Sequence, residues 1–377
     1  MRILILMSDI GGGHRSCTLA LQQEFAHWFP GVHEVFSVDV FKQFAPWPLD
    51  YVPLAYKYIA NKLPGFWQWV FSNYGSLITE EQMATWLAGY LEPYFELLLE
   101  STRPDVLVTV NPLFHPTLFR HLQATGRDLP VVSVVSDLVT PHGSWFHSQL
   151  DLCCVPTVQA AVAARRYRVS ERNVRVYGLP VRRQFVDVEV RERRAWKRLL
   201  DMEEQLPLVL VIGGGEGFGT IAALVEQLVA SRRRKAMPDC QVAVICGRNK
   251  ALARRLSQSF GTEQVRVLGF VTDMYAWMAA SDCAVTKAGP GTIMEAAAMG
   301  LPVILSGFVP GQEAENPAFV IRHGMGTYAP SPESQVSVLT EWLSDERKLG
   351  RFSDAARATA CARAGQSIVE EVDRLFG

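Results

Sequence analysis

Lys287 to Glu295 reads KAGPGTIME, between an apolar stretch ending at Val285 and the helical MEAAAMG, Met294 to Gly300. The apolar stretch has the length of a buried parallel strand, so the run that follows it stands at the mouth of a sheet. Gly289 and Gly291 let the backbone approach an anion closely, and Pro290 stiffens the turn. The N–H groups of a helix beginning near Thr292 then face phosphate oxygens, with the Thr292 hydroxyl beside them. Such a mouth suits a diphosphate, although a structural turn before an ordinary helix is the competing explanation. Glu295 lies about one turn into the helix. A carboxylate in so apolar a junction needs donors, and a ribose diol offers two; a salt bridge is the alternative. Lys287 precedes the loop, where local support is its simpler task.

Outward from this run, the chain alternates short apolar strands with helical stretches. Arg2 to Met7 is followed by glycines and a helical pattern from Ser16 to Phe29. Val35–Val40, Val106–Val110, Val131–Ser136, Leu152–Val155 and Val174–Val176 continue a parallel series. A second series comprises Leu208–Ile212, Val242–Cys246, Val265–Leu268, Cys283–Thr286 and Pro302–Leu305. The pattern predicts an α/β protein of two parallel-sheet, Rossmann-like domains facing a central cleft. The expected domains are residues 1–182 and 183–365. A C-terminal helix over 366–377 would cross back to the first domain.

Three further stretches give KAGPGTIME a context: GFVTDMYAWMAASDC at Gly269–Cys283, PGQEAENPAFV at Pro310–Val320 and SDIGGGHRS at Ser8–Ser16. Together they resemble the monogalactosyldiacylglycerol synthases, two-domain nucleotide-sugar transferases of the GT-B type. Two distinctive motifs in the expected order, with matching strands and turns over most of the chain, carry the resemblance. It implies that the acceptor belongs mainly to the first domain and the nucleotide sugar mainly to the second. It also implies the ribose role for Glu295 and uracil recognition by the main chain of Gly269 and Phe270, with Val271 lining. In this family the loop GGGEGFG, Gly213 to Gly219, faces the donor's phosphate region, which makes Gly215 and Gly217 contact positions. Taken alone, that loop is equally a tight structural turn. Gln312 and Glu313 take the sugar hydroxyls, and Asn316 would complete a polar rim.

His14 follows Gly11, Gly12 and Gly13, so its imidazole emerges at a strand-to-helix turn, where a histidine can accept a hydroxyl proton near neutral pH. In the resembled enzymes this histidine is the catalytic-base candidate, and Gly12 and Gly13 join the donor-binding positions; a loop-packing histidine is the alternative. Ser8 and Asp9 more simply shape the loop. Asp137 orients His14, binds an acceptor hydroxyl or caps the turn after it. His142 and Trp145 are cleft candidates, and Asn111, Pro112 and His115 follow another strand end. The resemblance implies an inverting hexosyltransferase that moves galactose from UDP-galactose to diacylglycerol. Left open are a UDP-glucose-dependent relative, a polyprenyl-linked cell-wall N-acetylglucosaminyltransferase and a nucleotide-sugar-binding protein without catalysis.

Composition bounds the setting. With 377 residues, 49% hydrophobic, the chain can bury two cores, and 37 basic against 38 acidic residues give no global attraction to nucleic acid. Charge is uneven locally: Arg165 to Arg198 holds twelve basic residues and four acidic ones. Phe41 to Tyr94 carries Trp47, Trp67, Trp69 and Trp86 among prolines and charges, a composition suited to a bilayer's polar boundary or to an irregular helical cap. No apolar run reaches the roughly 20 residues a spanning helix needs. The expectation is peripheral attachment at the cytoplasmic side of a membrane, with anionic lipids as partners. The seven cysteines and the histidines near His142 form no metal-ligand pattern, so neither a metal site nor a tightly bound cofactor is expected. The sequence leaves oligomeric state open.

Overall fold

The structure, a computed structural model, describes the chain apart from residues 10–11, 44, 46, 48, 53, 56–57, 60–62, 64, 70–79, 189–191, 214–220 and 262–263, and the side chains at 49 and 80–89. It divides into two compact units, Met1–Arg183 with Val309–Glu315 and Cys361–Gly377, and Gln184–Phe308 with Asn316–Ala360.

The first unit is built on a six-stranded parallel sheet. Its strands are β1 (Arg2–Met7), β2 (Glu34–Asp39), β3 (Val106–Thr109), β4 (Val131–Val134), β5 (Leu152–Val155) and β6 (Val174–Val176), in spatial order β2-β1-β3-β4-β5-β6. Alternation along β1 sends Leu4 and Leu6 to one face, with Phe114 and Trp145. Ile3 and Ile5 go to the other, with Cys17, Leu21 and Phe25 of helix Gly13–Trp28 and Ile368, Val369 and Val372 of helix Ala364–Phe376. Burying one such aliphatic side chain contributes roughly 1.5–3 kcal/mol. The last helix is therefore part of the first unit's core.

The second unit repeats the plan with β7 (Leu208–Ile212), β8 (Gln241–Ile245), β9 (Val265–Leu268), β10 (Cys283–Thr286), β11 (Val303–Leu305) and β12 (Gly326–Tyr328), in order β12-β11-β10-β7-β8-β9. β7 and β8 are buried along their whole length, as strands covered on both faces must be. Strand β12 escapes the sequence pattern: three residues opening on glycine carry no apolar run.

In each sheet the first strand has neighbours reached by crossovers in opposite directions. The crevices outside the carboxyl ends of β1 and β3, and of β7 and β10, are topological switch points, where such sheets bind ligands. The segments after β1 and β10 carry the two motifs singled out from the sequence. Among the described residues no helix is long and apolar enough to cross a membrane.

Candidate active site

In the first unit, β1 ends at Met7 and helix Gly13–Trp28 starts behind Gly12, whose φ of +83° is a left-handed conformation that glycine adopts without strain. Ser8, fully buried, accepts a hydrogen bond of 2.8 Å from the Asn111 amide, and the N–H of Asp9 donates to Asp39 at 3.2 Å. Both residues shape the loop. Asn111 also caps the turn Pro112–Phe114, accepting from the N–H of Leu113 at 2.9 Å.

His14 occupies the first turn of this helix, half-buried, at the switch point. Its Nδ1 bonds the carbonyl of Val110, just beyond β3, and lies 3.3 Å from the Ser136 hydroxyl beyond β4. A carbonyl only accepts, so Nδ1 carries the proton and the neutral ring presents the lone pair of Nε2. Burial lowers the imidazole from its usual 6.5 to about 4, against the opposing pulls of the Val110 carbonyl and Asp9. At neutral pH His14 is an uncharged base with a fixed tautomer.

The indole of Trp145 flanks it, ring centroids 5.8 Å apart and tilted by 37°. Asp137 does not touch the imidazole: its Oδ2 accepts the Trp145 indole N–H at 2.7 Å. Burial raises Asp137 to about 7, opposed by that hydrogen bond and assisted by the charge of Glu313. His142 caps the turn Gly143–Trp145, its Nδ1 accepting from the N–H of Ser144 at 3.2 Å. His115 is a satisfied core histidine between Thr109 Oγ1 at 2.5 Å and the Ser144 carbonyl at 3.2 Å, and burial lowers it to about 3. Ser136, Trp145 and the Val110 carbonyl belong to the site without having been singled out as contacts of His14. A tryptophan in a polar loop eight residues after an aspartate was the signal available.

The candidate sugar loop is a segment of this same unit. Gln312 is half-buried, whereas Glu313 is buried with Oε2 turned back to accept the N–H of Val309 at 2.8 Å, which closes the loop on itself.

In the second unit, β10 leads through Lys287 into helix Pro290–Ala298. Pro290 is its first residue rather than a turn stiffener, and Gly289 is the N-cap with ordinary φ of −69°. No side chain caps this helix. The N–H groups of Gly291 and Thr292, in the first turn, therefore remain for an anion, and a Cβ at Gly291 would meet nothing within 4 Å. Glu295 is buried on the helix and Lys287 is exposed before it. Asn316 is fully buried, not part of a rim, and its amide donates to the Ala288 carbonyl at 2.8 Å, bracing the loop from behind.

Gly269 and Phe270 follow β9 directly, with Val271 after them. The Phe270 ring is 58% exposed, with the Arg248 guanidinium 5.3 Å from its centroid. From β10 to β9 is three strand steps, about 14 Å, a span suited to an extended nucleoside diphosphate. Gly213 follows β7 and donates to the Ile245 carbonyl at 3.0 Å, while Gly215 and Gly217 lie outside the described residues.

Comparison with known proteins fits this division. Residues 14–181 match the monogalactosyldiacylglycerol (MGDG) synthase family model and residues 208–369 the glycosyltransferase family 28 C-terminal domain. The chain is 35% identical over 379 residues to monogalactosyldiacylglycerol synthase 1, chloroplastic, of Arabidopsis thaliana, covering 99% of this chain and 71% of that protein. The chain belongs to the monogalactosyldiacylglycerol synthase family. Membership makes it an enzyme, a hexosyltransferase. Solved structures share the fold at low identity. MurG of Acinetobacter baumannii aligns with TM-score 0.57 and 13% identity, and Anabaena HepE in complex with UDP-glucose with 0.56 and 14%, each covering 100% of both chains. The synthase family's fold is thus that of the GT-B glycosyltransferases.

Proposed function

We propose that this enzyme transfers galactose from UDP-α-galactose to the free hydroxyl of 1,2-diacylglycerol in one inverting displacement, giving β-monogalactosyldiacylglycerol and UDP. As the acceptor oxygen attacks the anomeric carbon, its proton passes to Nε2 of His14. The new C–O bond forms while the bond to the β-phosphate oxygen breaks, and that electron pair leaves with UDP. N–H groups of Gly291 and Thr292 receive the growing phosphate charge. Glu295 holds the ribose, Gly269, Phe270 and Val271 the uracil, and Gln312 and Glu313 the sugar. Gly12, Gly13, Gly215 and Gly217 complete the phosphate region. The displacement as proposed uses no covalent glycosyl intermediate, metal ion or bound cofactor.

The observation that carries this reading is His14: a neutral imidazole of fixed tautomer at a switch point, in a chain whose relatives are named for making monogalactosyldiacylglycerol. We further propose peripheral attachment at the cytoplasmic side of a membrane containing anionic lipid. Support comes from exposed Trp47, Tyr51, Leu54, Tyr58, Leu63, Phe66 and Trp69 in the first unit; the side chain of Trp86 and residues 70–79 of that segment lie outside the described residues.

The test couples UDP release to lipid product analysis, offering diacylglycerol or a polyprenyl-linked acceptor with UDP-galactose, UDP-glucose or UDP-N-acetylglucosamine. The expected result is a single β-galactosyl residue on diacylglycerol and the highest kcat/KM for UDP-galactose. Neither an amide nor a carboxylate by itself tells the two epimers at the sugar's fourth carbon apart, so a higher kcat/KM for UDP-glucose would replace the donor and leave the mechanism standing. An α product would reject the inversion, and UDP release without glycolipid would reject the transfer.

A further inference from the structure

The Asp137 carboxylate is an expensive way to satisfy an indole. Trp145 is 1% exposed, so its N–H needs an acceptor, but a serine hydroxyl, an asparagine oxygen or a main-chain carbonyl supplies one at little cost. Here the acceptor is a half-buried carboxylate, whose ionised form burial disfavours. The carboxylate also accepts the main-chain N–H of His142, so it holds the turn together with the indole.

The geometry around Trp145 shows what the charge is directed at. Oδ2 of Asp137 lies 2.7 Å from the indole nitrogen, and the indole ring lies 5.8 Å from the imidazole of His14. The turn holding Trp145 is pinned by its N–H to the His142 carbonyl at 3.1 Å and by the Ser133 hydroxyl to its own carbonyl at 3.4 Å. Ser136, adjacent to Asp137 in the chain, approaches Nδ1 of His14 directly. One strand end thus contacts the imidazole twice, once by a hydroxyl and once through an aromatic ring. Any imidazolium formed at His14 would stand next to a π system, which attracts a cation, and an indole whose N–H is held by a carboxylate is the more electron-rich.

We propose that Asp137 is a positioning residue for glycosyl transfer, acting on His14 through Trp145: its carboxylate fixes and polarises the indole, and the indole holds the imidazole and stabilises it as it takes the acceptor's proton. This rests on His14 as the base. Asp137 contacts neither reacting atom and exchanges no proton with the substrate.

A double-mutant cycle on the full chain tests it, with kcat, donor KM, UDP affinity and thermal unfolding measured for D137A, D137N, W145F, D137A/W145F and H14A. D137A should lower kcat on the order of 10- to 100-fold through a misplaced base, with UDP affinity and donor KM within about 2-fold. D137N should be slower than the parent by about 5-fold or more, up to the full D137A loss, because the amide keeps an acceptor for the indole N–H but not the charge that polarises the ring. In the W145F background, D137A should cost no more than about 2-fold, since the link is already cut. Additive losses with a slow H14A, or a folded D137N at the parent rate, would overturn the relay. D137A at the parent rate would overturn it equally. Parent-rate turnover by H14A would remove the base itself, and this inference with it.

Discussion

The Nδ1–H of His14 is donated to the main-chain carbonyl of Val110, a residue 96 positions away just beyond β3, the strand beside the β1 that leads into the helix of His14. Because the acceptor is a carbonyl, the bond allows one neutral tautomer, and burial keeps the ring neutral down to about pH 4. The His14 limb of kcat/KM should therefore have its midpoint near 4, well below the limb near 7 that ionisation of Asp137 adds. A midpoint near 6.5 for the parent, absent from an H14Q variant, would show an imidazole far more exposed to water.

The same shift has a stability consequence of defined sign. The unfolded chain protonates this histidine near 6.5 and the folded chain near 4, so between those values the unfolded state holds more protons. His14's contribution is fully present above 6.5 and is lost as pH falls toward 4. Difference measurements of urea unfolding for parent and H14Q at pH 4.5 and 7 should show the parent losing more on acidification. Equal losses would contradict it.

At the donor loop, Glu295 and Lys287 should separate cleanly. Glu295 is buried on the helix whose first turn has no side-chain cap, and Lys287 is exposed before the loop. Losing hydrogen bonds to a charged acceptor costs about 1.5–3 kcal/mol, so E295A should weaken UDP binding roughly 10- to 150-fold, and K287A by less than about 3-fold. Calorimetric titration of UDP decides it; equal affinities for folded E295A and parent would remove Glu295 from the ribose.

Most strands were legible because parallel strands covered on both faces are nearly continuous apolar runs, as LVLVI of β7 shows. Strand β12 was not, since Gly326–Tyr328 is too short to form a pattern. Glycine loops at strand ends marked where helices begin, yet the partners of His14 were hidden. Val110, Ser136 and Trp145 reach it through the sheet order β1-β3-β4, which no local periodicity encodes. Asp137 looked like a partner for His14 by chemistry, and the intervening indole was visible only in three dimensions.

Surface attachment is tested on the aromatics of the first unit. Phe66 and Trp69 are each 51% exposed with rings stacked 6.0 Å apart, and Trp47 is 77% exposed. Large apolar side chains entering a bilayer boundary gain about 1.5 kcal/mol or more each, so F66S/W69S should reduce binding to vesicles of mixed neutral and anionic lipid by at least about 10-fold. Added salt should weaken the parent's binding through screening of its basic run. Sedimentation showing the parent wholly unbound, or the double variant bound as tightly, would take these residues off the membrane.

The last prediction concerns the segment that returns to the first unit. Gly178 has φ of +99°, and a Cβ built there would lie 2.3 Å from Cβ of Cys361 and 2.7 Å from its Sγ, with Ala364 Cβ at 3.3 Å. A side chain would meet both a strained backbone and the start of helix Ala364–Phe376, which cannot retreat without uncovering Ile368, Val369 and Val372. G178A should destabilise the protein by about 2–4 kcal/mol, combining the left-handed penalty with overpacking. C361A, which removes the sulfur without adding bulk, should change stability by less than about 1.5 kcal/mol. In the C361G background, where the clashing Cβ is gone, G178A should cost measurably less than it does in the parent. Urea unfolding of the parent, G178A, C361G and the double variant reads the coupling directly, and an undiminished G178A cost in C361G would rule out the clash with Cys361 as its cause.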